Sequence, residues 1–151
     1  MLVSAYSNQQ TDCSMNYNIN VSVSSDFAKE AKRLAKKYPS FKQDYKEFLE
    51  SIKDNPLQGD EISKNIRKVR MAIKSKGKGK SGGARIITFN ILTQELNGDI
   101  ILLLIYDKED ASTVKTNVVK EMVRNIGFER VSGFFRLVTP YVRNKVLPAC
   151  T

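Results

Sequence analysis

The chain has 151 residues, 41% of them hydrophobic, with 25 Lys and Arg against 16 Asp and Glu and no histidine. That length suits one domain with a core of its own, and the missing imidazole removes the commonest general base and metal ligand, so any catalysis falls to other groups. The longest apolar run, Ile100 to Ile105, is too short to span a bilayer, and the first residues lack the basic start and apolar core of a signal peptide, so a cytoplasmic location is expected.

Met1 to Ser14 is polar and without pattern, a flexible tail ahead of a domain expected over residues 15–127. Cys13 and Cys150, the only cysteines, lie near the two ends; they fit no zinc spacing, and no structural disulfide is expected between them. Tyr17, Ile19, Val21 and Val23 alternate with Asn18, Asn20 and Ser22, which predicts a short strand. Ser24, Ser25 and Asp26 then offer capping side chains to a helix with Phe27, Ala31, Leu34, Ala35 and Tyr38 on one face, ended by Pro39. A second helix begins near Ser40, carries Phe41, Tyr45, Phe48, Leu49 and Ile52, and stops before Asn55-Pro56. The two form a helical hairpin whose aromatic stripe belongs in a core rather than on a base-stacking platform.

Leu57 to Ser63 is expected as a connecting loop. Ile66 to Ile73 alternates, with Val69, Met71 and Ile73 to one side and Lys68, Arg70 and Ala72 to the other, as in a half-buried strand. Ala84 to Leu92, rich in Ile, Thr and Phe, is a second strand. Lys74 to Gly83 joins them as a glycine-rich loop, expected to be a mobile cationic flap that approaches a ligand closely. Asn97-Gly98 is a turn signal, and Ile100 to Tyr106, apolar on both faces, is a central strand. After Asp107-Lys108-Glu109-Asp110, Ser112 and Thr113 are placed to cap a last helix with Val114, Val118, Val119, Met122, Val123 and Ile126, ended by Gly127. The predicted order is β-α-α-β-β-β-α, an α+β domain with a small antiparallel or mixed sheet, helices on one face, and Lys68 and Arg70 on a face left open. Residues 128–151, basic and apolar with Pro140 interrupting, form a C-terminal extension of unassigned role.

The charge is local. Between Glu61 and Glu95 no acid occurs, while Lys64, Arg67, Lys68, Arg70, Lys74, Lys76, Lys78, Lys80 and Arg85 are cationic; the remaining 16 Lys and Arg are matched by 16 acids. Concentrated positive charge attracts a polyanion, and a nucleic-acid phosphate backbone is the expected target, with Lys74, Lys76, Lys78 and Lys80 as the RNA-binding lysines. Gly79-Lys80-Ser81 imitates the end of a phosphate-binding P-loop, but Lys74 stands where that pattern needs its first glycine, and a strand rather than a helix is expected after the serine.

The stretches KVRM (68–71), GKGKSGGARIITF (77–89) and LLLIYDKED (102–110) resemble the RelE/ParE superfamily of bacterial toxins, the GKSGGAR form being most similar to its RelE-related, HigB-type branch. The resemblance spans roughly residues 16–127. It implies a ribosome-dependent endoribonuclease that cuts messenger RNA by metal-independent attack of a ribose 2′-hydroxyl on the neighbouring phosphate, with no cofactor, and a cognate antitoxin protein that restrains it. Lys68 matches the family's candidate base, Arg70 its second strand cation, and Arg85 the arginine that braces the scissile phosphate. Lys108 falls near a later basic position that stabilises the leaving oxygen, and Tyr106 is a candidate to stack on a base or donate a hydrogen bond. A tyrosine found near the start of the last helix in RelE-type enzymes has no counterpart here, where Val114 stands. Two other functions fit the same charge: a ParE-like, non-enzymatic inhibitor of DNA gyrase, and a plain basic RNA-binding module.

Overall fold

The computed structural model describes residues 17–111 and 113–126, with the backbone of two short strands at Phe128–Val131 and Phe134–Leu137. Strand β1 (Ile19–Val23) leads into helices α1 (Ser25–Lys37) and α2 (Phe41–Asp54). These are followed by β2 (Asp60–Ser63), β3 (Ile66–Met71), a 3₁₀ turn at Lys74–Lys76 and a single helical turn, α3 (Gly79–Gly82). Strands β4 (Ala84–Leu92) and β5 (Gly98–Asp107), helix α4 (Thr116–Asn125) and the hairpin β6–β7 (Phe128–Val131, Phe134–Leu137) complete the order. The fold is α+β. Its sheet is mixed, in the order β1-β5-β4-β3-β2, with β1 parallel to β5 and the other pairs antiparallel.

The helical hairpin forms as its spacing dictates. Ser24 caps α1 through its Oγ, which accepts from the Phe27 N–H at 3.0 Å and donates to the Leu103 carbonyl at 2.6 Å, tying the helix start to β5. Phe27, Leu34, Phe41, Phe48 and Ile52 all turn inward onto Val69, Met71, Ile86, Ile100 and Leu102. Each such side chain contributes about 1.5–3 kcal/mol by leaving water. The aromatic stripe is core: Phe41 and Tyr45 stack with ring centroids 6.1 Å apart.

The second face of the sheet differs from the expectation. It is not left open, because α4 lies on it and Val119 joins Ile66, Ile87, Phe89, Ile101, Leu103 and Tyr106 in a second core. A bulge in β5 sets which of its leucines this face presents. Ile87 pairs with Leu104 but Thr88 with Leu102, so Leu103 is extra and both Leu103 and Leu104 turn towards α4. Sequence periodicity carries no sign of such an inserted residue.

Three further elements depart from the sequence reading. Asp60–Ser63, expected as loop, is the edge strand β2; its one apolar residue, Ile62, packs on the second core but is too little to show a period, which is usual for a short edge. Asn97-Gly98 is not the centre of the turn but its exit. The chain reverses through Thr93–Leu96, and Gly98 starts β5 with φ +144, where a Cβ would meet the Ile91 carbonyl at 2.1 Å. Helix α4 begins at Thr116, with Lys115 before it, so Thr113 is not its cap. Ser112, Gly127, the tail 1–14, both cysteines and residues 138–151 lie outside the described residues. Among the described residues strands β6 and β7 pair with each other, and they fall within the extension expected after 127.

Candidate nucleic-acid interface

The antiparallel register of β3, β4 and β5 brings the predicted strand residues together. Arg70 stands opposite Arg85, and Arg85 opposite Tyr106; directly opposed residues share a face, so the three form one row across three strands. Lys68, two residues from Arg70, opposes Ile87 on the same face. Asp60 stands opposite Lys68 on β2 without closing an ion pair, and neither Lys68 nor Arg70 has an acidic partner among the described residues. Arg70 is exposed and Lys68 half-buried.

Arg85 is placed differently from an open phosphate clamp. The residue is 8% exposed, and its Nη1 donates to the carbonyls of Lys80 at 3.1 Å and Ala84 at 3.3 Å, its Nη2 to that of Ser81 at 2.9 Å. Three of the five N–H groups of a guanidinium are thereby used on backbone carbonyls, two of them in α3 and one at the start of β4. Tyr106 is 7% exposed and packs in the second core, the alternative to base stacking. Burial raises its phenol pKa, opposed by the charge of Arg85 and the Val114 amide, so it stays neutral. Lys108 is exposed in the turn after β5, its N–H donating to the Gly83 carbonyl at 3.3 Å. It therefore sits beside the end of the glycine-rich loop.

That loop is built, not an open flap, and acids distant in sequence reach three of its four lysines. Lys74 Nζ meets Glu47 at 2.6 Å, Lys76 Nζ meets Asp107 at 2.6 Å, and Lys78 Nζ meets Glu109 at 2.8 Å. Lys80 alone of the four is exposed with no ion pair among the described residues. The strongest tie is Asp107, whose carboxylate is fully buried and accepts from Lys76, the Tyr38 hydroxyl, Lys37 at 3.4 Å and the Glu109 N–H at 3.1 Å. Burial alone would raise its pKa, but Lys76, Tyr38 and the Glu109 amide outweigh that and hold it well below the usual carboxylate range. Burial likewise opposes the charge on Lys76, and the Asp107 carboxylate keeps its pKa above the ordinary lysine value.

Sequence reasoning missed Asp107, Glu47 and Asp44, which organise the loop. The only local signal was the acidic cluster after β5, and nothing in it told which lysine, 31 residues away, each acid would meet. The single turn of α3 includes Ser81, a departure from the strand expected directly after it, but one turn is too short for a P-loop helix. Among the described residues no group of His, Cys, Asp and Glu is arranged to hold a metal, and no helix is long and apolar enough to cross a membrane. No family model matches the chain.

Proposed function

We propose that this protein is a toxin of the RelE type, an RNA-binding endoribonuclease that acts on messages in the ribosome and is held in check by a cognate antitoxin. The observation that carries the reading is the cross-strand pair Arg70 and Arg85 with Lys68 on the same face, three cations that make no ion pair among the described residues. Like charges directly opposed on a sheet cost stability, a cost that an anion bound at exposed Arg70 would offset. In this chemistry the 2′-hydroxyl attacks the adjacent phosphorus, its proton passes to Lys68 acting as the unprotonated amine, and Arg70 stabilises the charge gathering on the phosphoryl oxygens. The bond to the 5′-oxygen breaks, giving a 2′,3′-cyclic phosphate and a 5′-hydroxyl; Lys108 stabilises the charge on the departing oxygen, which takes its proton from water. Arg85 acts here as a positioning residue, holding α3 so that Lys80 lies beside the row.

A second reading, a basic RNA-binding module without cleavage, is favoured by one observation: of the five residues expected to carry catalysis, Arg85 and Tyr106 are buried, which leaves Lys68, Arg70 and Lys108 to face RNA. Primer extension on a message translated by purified ribosomes separates the two. Cuts within codons, abolished in Lys68→Ala and Arg70→Ala variants of unchanged melting temperature, support the endoribonuclease. RNA retention with intact message supports the module, and gyrase inhibition with intact message would replace both by the ParE-like activity.

A further inference from the structure

Two kinds of ion pair hold the glycine-rich loop, and they differ in how firmly. Lys76 and Asp107 meet at 2.6 Å with side chains 5% and 0% exposed, so their contact belongs to the interior. Lys74 with Glu47, and Lys78 with Glu109, lie in water, all four side chains being between 45% and 64% exposed. An exposed pair contributes little to stability and is screened by salt, so its members exchange readily for other partners. The fold therefore fixes Lys76 and leaves Lys74 and Lys78 exchangeable.

The backbone around these two lysines permits the exchange without unmaking the loop. The Lys74 N–H donates to Asp44 Oδ2 at 3.0 Å and the Ser75 N–H to Ser40 Oγ at 2.9 Å, which pins the main chain to the start of α2 and leaves only the Lys74 side chain to swing. Lys78 lies between Gly77 and Gly79, at φ +68 and +61, and a Cβ on either glycine would meet nothing within 4 Å. Lys78 can thus turn about two open positions. Glu109 also stands 3.5 Å from Lys76, so it keeps one cation when Lys78 leaves. At the other pair, Glu47 lines one groove with Lys74, Arg70 and Lys80; it is the exposed carboxylate among three exposed cations, Asp44 beside it being buried.

We propose that Glu47 and Glu109 stand in for phosphate: they hold Lys74 and Lys78 while no polyanion is bound and yield both lysines to the backbone of a single-stranded RNA when one arrives, with Lys76 and Asp107 left in place as the anchor. The inference rests on the RNA-binding reading above for its ligand, and not on cleavage. A ligand with few charges cannot replace both carboxylates, whereas one that reaches Lys74, Lys78 and Lys80 together can. The two acids therefore select a chain of phosphates over a single one.

The test is binding of oligouridylate across salt concentrations, with inorganic polyphosphate as the second probe, to the full chain and to Lys74→Ala, Glu47→Gln and the double variant, then to the same set at Lys78 and Glu109. Glu47→Gln should tighten binding about threefold to tenfold when Lys74 is present and leave it unchanged in the Lys74→Ala background. Lys74→Ala should lower the log–log salt slope by about 0.7, one phosphate contact on a single strand. Glu50→Gln, which removes a charge from another exposed position of α2, should change affinity less than twofold. Equal tightening by Glu47→Gln with and without Lys74 would mean long-range charge rather than exchange and overturns the proposal, as does an unchanged slope in Lys74→Ala. Coupling seen with polyphosphate alone supports the exchange and overturns the RNA-binding reading; its absence with both probes overturns the exchange.

Discussion

Arg70 and Arg85 oppose one another on β3 and β4, and they are used in opposite ways: Arg70 is exposed and free of ion pairs, while Arg85 is buried with its guanidinium turned to the carbonyls of Lys80, Ser81 and Ala84. Arg70→Thr should leave stability unchanged or slightly higher, because it removes a like-charge pair from a sheet, yet it should abolish message cleavage. A urea titration beside the ribosome assay reads both. Loss of activity with a matching loss of stability would mean that Arg70 is structural.

Arg85→Ala should lower both stability and cleavage, since the carbonyls of α3 lose their buried donors, at about 1–3 kcal/mol for each group left unsatisfied. Arg85→Lys restores one donor and should recover stability only in part. The discriminating readout is exchange at the Lys80 and Ser81 amides, which should quicken in both variants. Protection as in wild type would leave Arg85 without its positioning role.

Asp107→Asn should be the most damaging single change to the loop, because it strands the buried Lys76 ammonium; breaking such a pair costs about 3–5 kcal/mol. Removing both charges, as Lys76→Met with Asp107→Asn, should recover much of the loss in a double-mutant cycle. Additive losses would show that the two do not act as a pair.

The pH dependence follows from the same carboxylate. Its folded pKa lies below its unfolded value, so its stabilisation is complete above the unfolded carboxylate range near pH 4 and is lost as pH falls towards the folded value. Unfolding free energy should therefore decline below about pH 4 in the wild type and decline less in Asp107→Asn. Equal slopes would mean that other acids carry the effect.

For RNA binding, the paired and unpaired lysines should separate. Lys80→Ala should reduce the salt dependence of binding by nearly one unit of log–log slope, as expected for one lost phosphate contact, with stability unchanged. Lys76→Ala should leave the slope alone and lower stability. An unchanged slope for Lys80→Ala would remove the loop from the interface.

Local pattern determined much of this protein. The helical hairpin from Ser24 to Ile52, the strands around Val69, Ile86 and Leu103, and the placement of Lys68 with Arg70 on the face away from that hairpin follow from periodicity and caps, which act between near neighbours. Edge strand β2 was hidden because a single apolar residue, Ile62, shows no period, and the cover over the second face was hidden because which face α4 packs on is decided by tertiary contact, although β5 reads apolar on both faces. The fate of the lysine run was decided by tertiary contact alone. No acid occurs near it in sequence, yet folding carries Glu47, Asp107 and Glu109 to Lys74, Lys76 and Lys78, and charge acts through space rather than along the chain.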